Sequence, residues 1–417
     1  MGREPNHDAD GLRLDWTHGF KDDDAAGWDP MTGLMRALDA DPEASREFFT
    51  GVSTGGEPPR LPRVDWLLTD REWMVDKAWA GHGPYVTGTT TLGDALKSAT
   101  LDHPNGESVQ IVESIVHEVS IDEQAAGYEN GDYGKTGDQA DKFSDATLIN
   151  PALRGALGEI AANYIGSFHL SMAPNEPTGG VTEGYLYDDA HFEDIDAQRF
   201  LSDLGKDPKV CGTLTAASRS YAVIDLQRQM AIADPSSYDA VLDRVTKASA
   251  SITGALDFGA TAAIQHDSEF SDKEFNDGLD LGFKVGKGMF GQIPGLNQPI
   301  AGGGLDAALT VLQDSLKHNH IGQANYETGS QLNASANQQQ DFYRQVMWQN
   351  IPADQLPPGF KPGIDPQTQI AENPELESAY EKWTLSGNER AQLLGRLDVG
   401  GTYMEKYNAT KTSLQAW

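Results

Sequence analysis

Apolar side chains recur along this chain at steps of three and four. Ile111, Val112, Ile115, Val116 and Val119 form one such series, and Leu153, Leu157, Ile160, Ala161, Tyr164, Ile165 and Phe168 a second. Val210, Leu214, Ala217, Tyr221 and Ile224 make a third, and Leu305, Leu309, Leu312 and Leu316 a fourth. A helical turn of 3.6 residues puts each series on one stripe, so the pattern predicts amphipathic helices. Alternation of period two, the mark of a half-buried strand, is scarce; its best instance is the short run Pro84-Tyr85-Val86-Thr87. The expected fold is all-α.

Helix openings are written in the same chemistry throughout. Asp29-Pro30, Asp41-Pro42, Asn150-Pro151, Asp207-Pro208, Asp234-Pro235 and Asn373-Pro374 each set a side-chain acceptor before a proline. The Asp or Asn oxygen takes an N–H that the first turn leaves over, and proline brings no N–H of its own. Two of these openings sit in matching stretches. Leu34, Met35, Leu38, Asp41 and Pro42 return as Phe200, Leu201, Leu204, Asp207 and Pro208, all at one offset (200 − 34 = 166). The shared element reads as a helical hairpin used twice.

Turn residues divide the chain. Gly and Pro crowd residues 51–63, 120–146, 172–190 and 351–373, the last holding Pro357, Pro358, Pro362 and Pro366. The expected parts are a polar segment (1–28), a first helical lobe (29–175), a second lobe (190–350), a Pro-rich linker (351–373) and a C-terminal helical tail (374–417). Within the second lobe, residues 278–304 are glycine-rich, with Gly282/Gly286 and Gly291/Gly295 at the spacing that lets helix backbones approach closely. A close-packed buried hairpin is the expected reading. Insertion of residues 281–312 into a membrane is the alternative, and Asp280, Lys284, Lys287 and Gln292 stand against it because each is costly at bilayer depth.

Charge narrows the partners. With 63 acidic and 31 basic residues the net charge is −32, which repels phosphate backbones and anionic lipid headgroups. Nucleic acid is therefore not expected, and membrane contact is disfavoured. The single cysteine, Cys211, excludes an intrachain disulfide and a cysteine zinc site. No apolar run follows Met1-Gly2-Arg3-Glu4, so the expected location is the cytoplasm, or the outside by a route independent of signal peptides.

Motifs that carry chemistry are broken or out of context. Gly51-Val52-Ser53-Thr54-Gly55 has the nucleophile-elbow spacing but follows a helix rather than a strand. Gly282-Phe283-Lys284-Val285-Gly286-Lys287-Gly288 is one residue short of a P-loop, and Gly288 replaces the magnesium-binding hydroxyl. His117-Glu118 begins a zinc-binding pattern that Ile121 ends, and His318 and His320 do not share a helix face. The acidic run from Asp267 to Asp280 has Asp272 where a calcium loop needs glycine. No catalytic residue, cofactor or metal site is assigned. Tyr128/Asp132 and Tyr185/Asp189 match a short export pattern, but no more often than chance supplies.

Residues 29–49 (DPMTGLMRALDADPEASREFF), 65–73, 92–100, 151–164, 199–208 and 274–282 resemble a large actinobacterial (Streptomyces-type) family of helical proteins of unknown function. The resemblance spans roughly residues 29–350. It implies kinship with multidomain proteins linked to type VII secretion, in which a WXG-type helical hairpin precedes this region. Here the chain opens close to its first Asp-Pro helix without such a module, which counts against independent export. The function expected is a non-enzymatic structural or interaction protein, the body of a type VII-associated or effector-like protein that binds a protein partner or itself. The expected contact residues are Trp66, Trp73 and Trp79, on a helix drawn over residues 65–80, with the Gly282/Gly286 face for close approach. The alternatives are a hydrolase or toxin with an acidic cleft acting on an envelope polymer, and a membrane-active protein.

Overall fold

The computed structural model describes residues 30–51, 60–71, 73, 88–102, 105–120, 149–173, 190–232, 238–266, parts of 273–284, 343–348 and 351–364, 366–386, and 399–415. Among them there are helices and turns and no strand, so the fold is all-α. The strand candidate at 84–87 lies outside the described residues.

The helices run α1 (Pro30–Asp39), α2 (Pro42–Thr50), α3 (Pro62–Asp65), α4 (Gly88–Leu101), α5 (Gly106–Ser120), α6 (Pro151–Asn163) and α7 (Ile165–Ser171). After these come α8 (Asp194–Gly205), α9 (Pro208–Ile232), α10 (Tyr238–His266), α11 (Pro366–Glu372), α12 (Leu376–Thr384) and α13 (Val399–Gln415). A π-helical turn, Trp66–Asp70, continues α3.

Three of the six Asp-Pro and Asn-Pro openings act as their chemistry requires; Asp29 and Asp234 lie outside the described residues, and the helix after Asn373-Pro374 opens only at Leu376, behind Glu375 and without a side-chain cap. The Asp41 carboxylate accepts from the Ala44 N–H at 3.1 Å, and the Asn150 side chain from Ala152 at 3.0 Å. Asp207 accepts from Lys209 and Val210 at 2.9 and 3.0 Å. The two matched stretches also turn the same corner. Asp41 N–H donates to the Leu38 carbonyl and Asp207 N–H to that of Leu204, both at 3.1 Å. Ser45 then donates to Asp41 and Cys211 to Asp207, at 2.9 and 2.8 Å. They differ in depth, since Leu34 is 37% exposed and Phe200 only 1%.

The core is continuous. α1 and α2 pack on α4, α4 on α6, α6 on α9, and α9 on α10, which also carries α8 and α13. One cluster of buried apolar side chains runs from Met35 through Leu157 and Leu214 to Leu414. Three of the apolar series read from the sequence supply much of it, with Ile111, Ile115, Leu157, Phe168 and Leu214 fully buried; the fourth, Leu305 to Leu316, lies outside the described residues. Small residues set the closest crossings. A β-carbon on Gly259 of α10 would lie 1.7 Å from the Ser202 carbonyl oxygen, and one on Gly205 of α8 would lie 2.3 Å from that of Leu256. Two helix backbones touch there, and only glycine allows it.

The C-terminal helix α13 docks on α10. Tyr403 and Tyr407 bury against Ala250, and the Ser251 and Thr410 hydroxyls meet at 3.0 Å. Tyr407 OH donates to the Asp257 carboxylate at 3.0 Å.

Candidate functional site

The predicted helix over residues 65–80 stops at Asp70. Arg71 is extended (φ −84°, ψ 119°), and its N–H reaches back five residues to the Trp66 carbonyl at 2.8 Å. The Leu67 carbonyl, which one more helical turn would use, instead accepts the Trp73 indole N–H at 3.0 Å. Trp66 and Trp73 therefore both reach Arg71 because the chain turns, and not because they lie two turns apart on one helix face. The Arg71 guanidinium carbon lies 5.1 Å from the Trp66 ring centre and 4.7 Å from that of Trp73, within the range of cation–π attraction. Both indoles are half-buried and pack on the edge of the core. The Trp73 ring also covers Gly88, where a β-carbon would come within 2.3 Å of it. Trp79 lies outside the described residues.

Gly282 is turned inward. A β-carbon there would meet the Thr213 backbone at 2.7 Å and the Ala216 methyl at 2.8 Å, both on α9. Gly278, one turn earlier, faces the Lys209 backbone in the same way, and its carbonyl accepts from the Thr213 hydroxyl at 3.2 Å. At Gly282 the close neighbour is α9 of the same chain. Gly286 and residues 285–304 lie outside the described residues, as do His318 and His320.

A second polar site joins α5 to α8. The His117 Nδ1 lies 2.8 Å from the Asp196 carboxylate, with side chains 16% and 7% exposed. The Ser120 hydroxyl donates to the Asp196 carbonyl at 2.8 Å, and Arg199 donates to the Ser120 carbonyl at 3.2 Å. The hydrogen bond to Asp196 holds the His117 imidazole above its ordinary pKa despite partial burial. Beside it Glu118 is also raised, by burial first and then by the Asp65 carboxylate. The site can hold a proton on His117 and hold Glu118 toward its neutral form. Sequence reasoning missed this pairing because 79 residues separate the partners.

Three further reactive groups of the described residues are sealed in. His169 is 3% exposed, with Nε2 on the Ser218 hydroxyl and carbonyl at 2.9 and 3.1 Å. Burial pushes its pKa down to about 3, helped by the nearby Arg244 charge. Burial pushes the Cys211 thiol well above its ordinary range, away from the nucleophilic thiolate. Asp203, 2% exposed, accepts from Ile149 N–H at 2.8 Å and pairs with Arg154 and Lys206 at 3.4 and 2.9 Å. The buried charges of the described residues cancel: Arg46, Arg154, Arg199 and Arg219 against Glu118, Asp196, Asp203 and Asp225.

Among the described residues no group of three or more His, Cys, Asp or Glu is placed to hold a metal, and no helix is long and apolar enough to cross a membrane. No protein-family model, curated protein or solved structure matches the chain.

Proposed function

We propose that this chain is a non-enzymatic interaction protein that meets a protein partner through the Trp66–Arg71–Trp73 surface. The observation that supports this reading is a guanidinium stacked on two half-buried indoles at the rim of the core. Trp and Arg dominate the energetic centres of protein interfaces. An Arg already held by stacking loses less side-chain freedom when a partner arrives. The net charge of −32 favours a basic or neutral partner over nucleic acid.

The resemblance of residues 29–350 extends the proposal to the body of a type VII secretion-associated protein. Recovery of the chain from the medium of cells with an active type VII apparatus, and its loss when that apparatus is disabled, tests the extension. The contact surface is tested by a photo-cross-linking side chain at position 66, with a control at exposed Glu107. A discrete adduct at position 66 that disappears with Arg71→Ala is the expected result. No adduct, or the same adducts from both positions, would end the proposal.

One observation favours a second reading, a hydrolase of an envelope polymer. Asp65, Glu118 and Asp196 lie near enough for Asp65 and Asp196 both to raise the Glu118 carboxyl, a state suited to a general acid. This reading requires release of soluble fragments from purified cell wall that Glu118→Gln abolishes. Without release it fails.

A further inference from the structure

His169 sits where α7 meets α9 and α10, with a distinct role for each ring nitrogen. Nε2 faces the Ser218 carbonyl at 3.1 Å and the Ser218 hydroxyl at 2.9 Å. A carbonyl only accepts, so Nε2 carries the hydrogen and Nδ1 carries the lone pair. Nδ1 is fully buried and has no hydrogen-bond partner. A second proton can add only there, where no acceptor waits for it.

The surroundings reject the charge as well. From α10, the Arg244 cation faces the imidazole. From α9 come the Tyr221 ring, 4.8 Å from the imidazole centre, and Asp225, whose carboxylate is already engaged by Arg244 at 2.9 Å. α6 and α8 bring no charged group to bear on it. The Tyr221 ring is itself seated against Gly166 of α7, where a β-carbon would be 2.8 Å from it.

We propose that His169 is an acid-sensitive latch whose protonation at Nδ1 releases α7 from α9 and α10. The opening would spread to the chain leading into α8, because α7 holds it by two hydroxyls. Ser167 Oγ accepts from the Ala190 N–H at 3.3 Å, and Ser171 Oγ from the Phe192 N–H at 3.0 Å. Phe168 would lose its contacts with Phe192 and Phe200, at 4.4 and 6.0 Å between ring centres. The bridge from α5 to α8 would hold meanwhile, since acid keeps His117 charged opposite Asp196. The result is a local opening and not collapse.

The sign follows from the two states. The closed form disfavours the proton and the open form takes it at the ordinary value of 6.5. Closure is therefore unaffected above about pH 6.5 and weakens about tenfold per pH unit below it. Hydrogen exchange followed by mass spectrometry on the full chain, corrected for intrinsic rates, reads this directly. Amides of 165–171 and 216–222 should lose protection about tenfold per pH unit below 6.5, while those of α1 and α2 stay unchanged. His169→Gln, which keeps a donor for Ser218 but does not titrate, should remove the acid response. Equal protection at neutral and acid pH, or an undiminished response in His169→Gln, would overturn the proposal. If that variant does not fold, NMR on histidine-labelled wild-type protein decides. The imidazole in contact with the Tyr221 ring must stay neutral down to the onset of opening, and ordinary titration near 6.5 refutes the latch.

Discussion

A methyl group on Gly259 would overlap the Ser202 carbonyl, 1.7 Å away, so α8 and α10 would have to part. Gly259→Ala should cost about 3 kcal/mol or more, read as a lower urea midpoint. Gly155, exposed on α6 with no atom within 4 Å of an added β-carbon, is the control. Gly155→Ala should gain about 0.5–1 kcal/mol from helix propensity. A wild-type midpoint for Gly259→Ala would mean the backbones do not touch. Both glycines look alike in the sequence, because the difference lies in a neighbour 57 residues away (259 − 202 = 57). His117 was likewise legible only as half of a broken zinc motif, and its partner Asp196 gave no local signal. Its raised pKa gives stability that is complete below the unfolded value of 6.5 and fades as pH rises through the folded one. The deficit of His117→Gln, about 1 kcal/mol at most after solvent screening, should therefore be larger at pH 6 than at alkaline pH in paired denaturant melts.

Helix openings were the most legible elements, because an Asp or Asn cap acts within three residues of itself. Asp207→Ala should cost about 1 kcal/mol and Asp207→Asn distinctly less, since the amide oxygen still accepts. Equal losses in thermal melts would show that charge, not the acceptor, matters at this corner. The π-helical turn was not legible. Residues 65–80 carry a helical spacing of tryptophans, but the Leu67 carbonyl prefers the Trp73 indole, and no window of sequence shows that choice. Docking of α13 was open for the same reason. It depends on Gly254, where a β-carbon would lie 3.0 Å from the Tyr407 carbonyl, and on the Ser251–Thr410 pair. Gly254→Leu should lift α13, seen as faster amide exchange across 399–415 with α4 unchanged. Unchanged exchange would mean that other contacts hold it.

For the molecule as a whole, the fully buried charges of the described residues balance, and three titrating groups pull stability in opposite directions with pH. Acidification favours the raised groups His117 and Glu118 and penalises His169. The penalty falls on one three-helix junction, so global unfolding should lag local opening on an acid titration. Coincident transitions in α7 exchange and far-ultraviolet circular dichroism would contradict that order. The order of elements along the chain also matters while the protein is being made. The seat for α13 on α10 is complete once residue 257 has emerged, but its occupant, around residues 403–410, follows some 150 residues later (407 − 257 = 150). At about 5–20 residues per second of ribosomal synthesis, that face waits roughly 8–30 s for α13. During that interval a nascent-chain chaperone can occupy the face that Tyr403 and Tyr407 later cover.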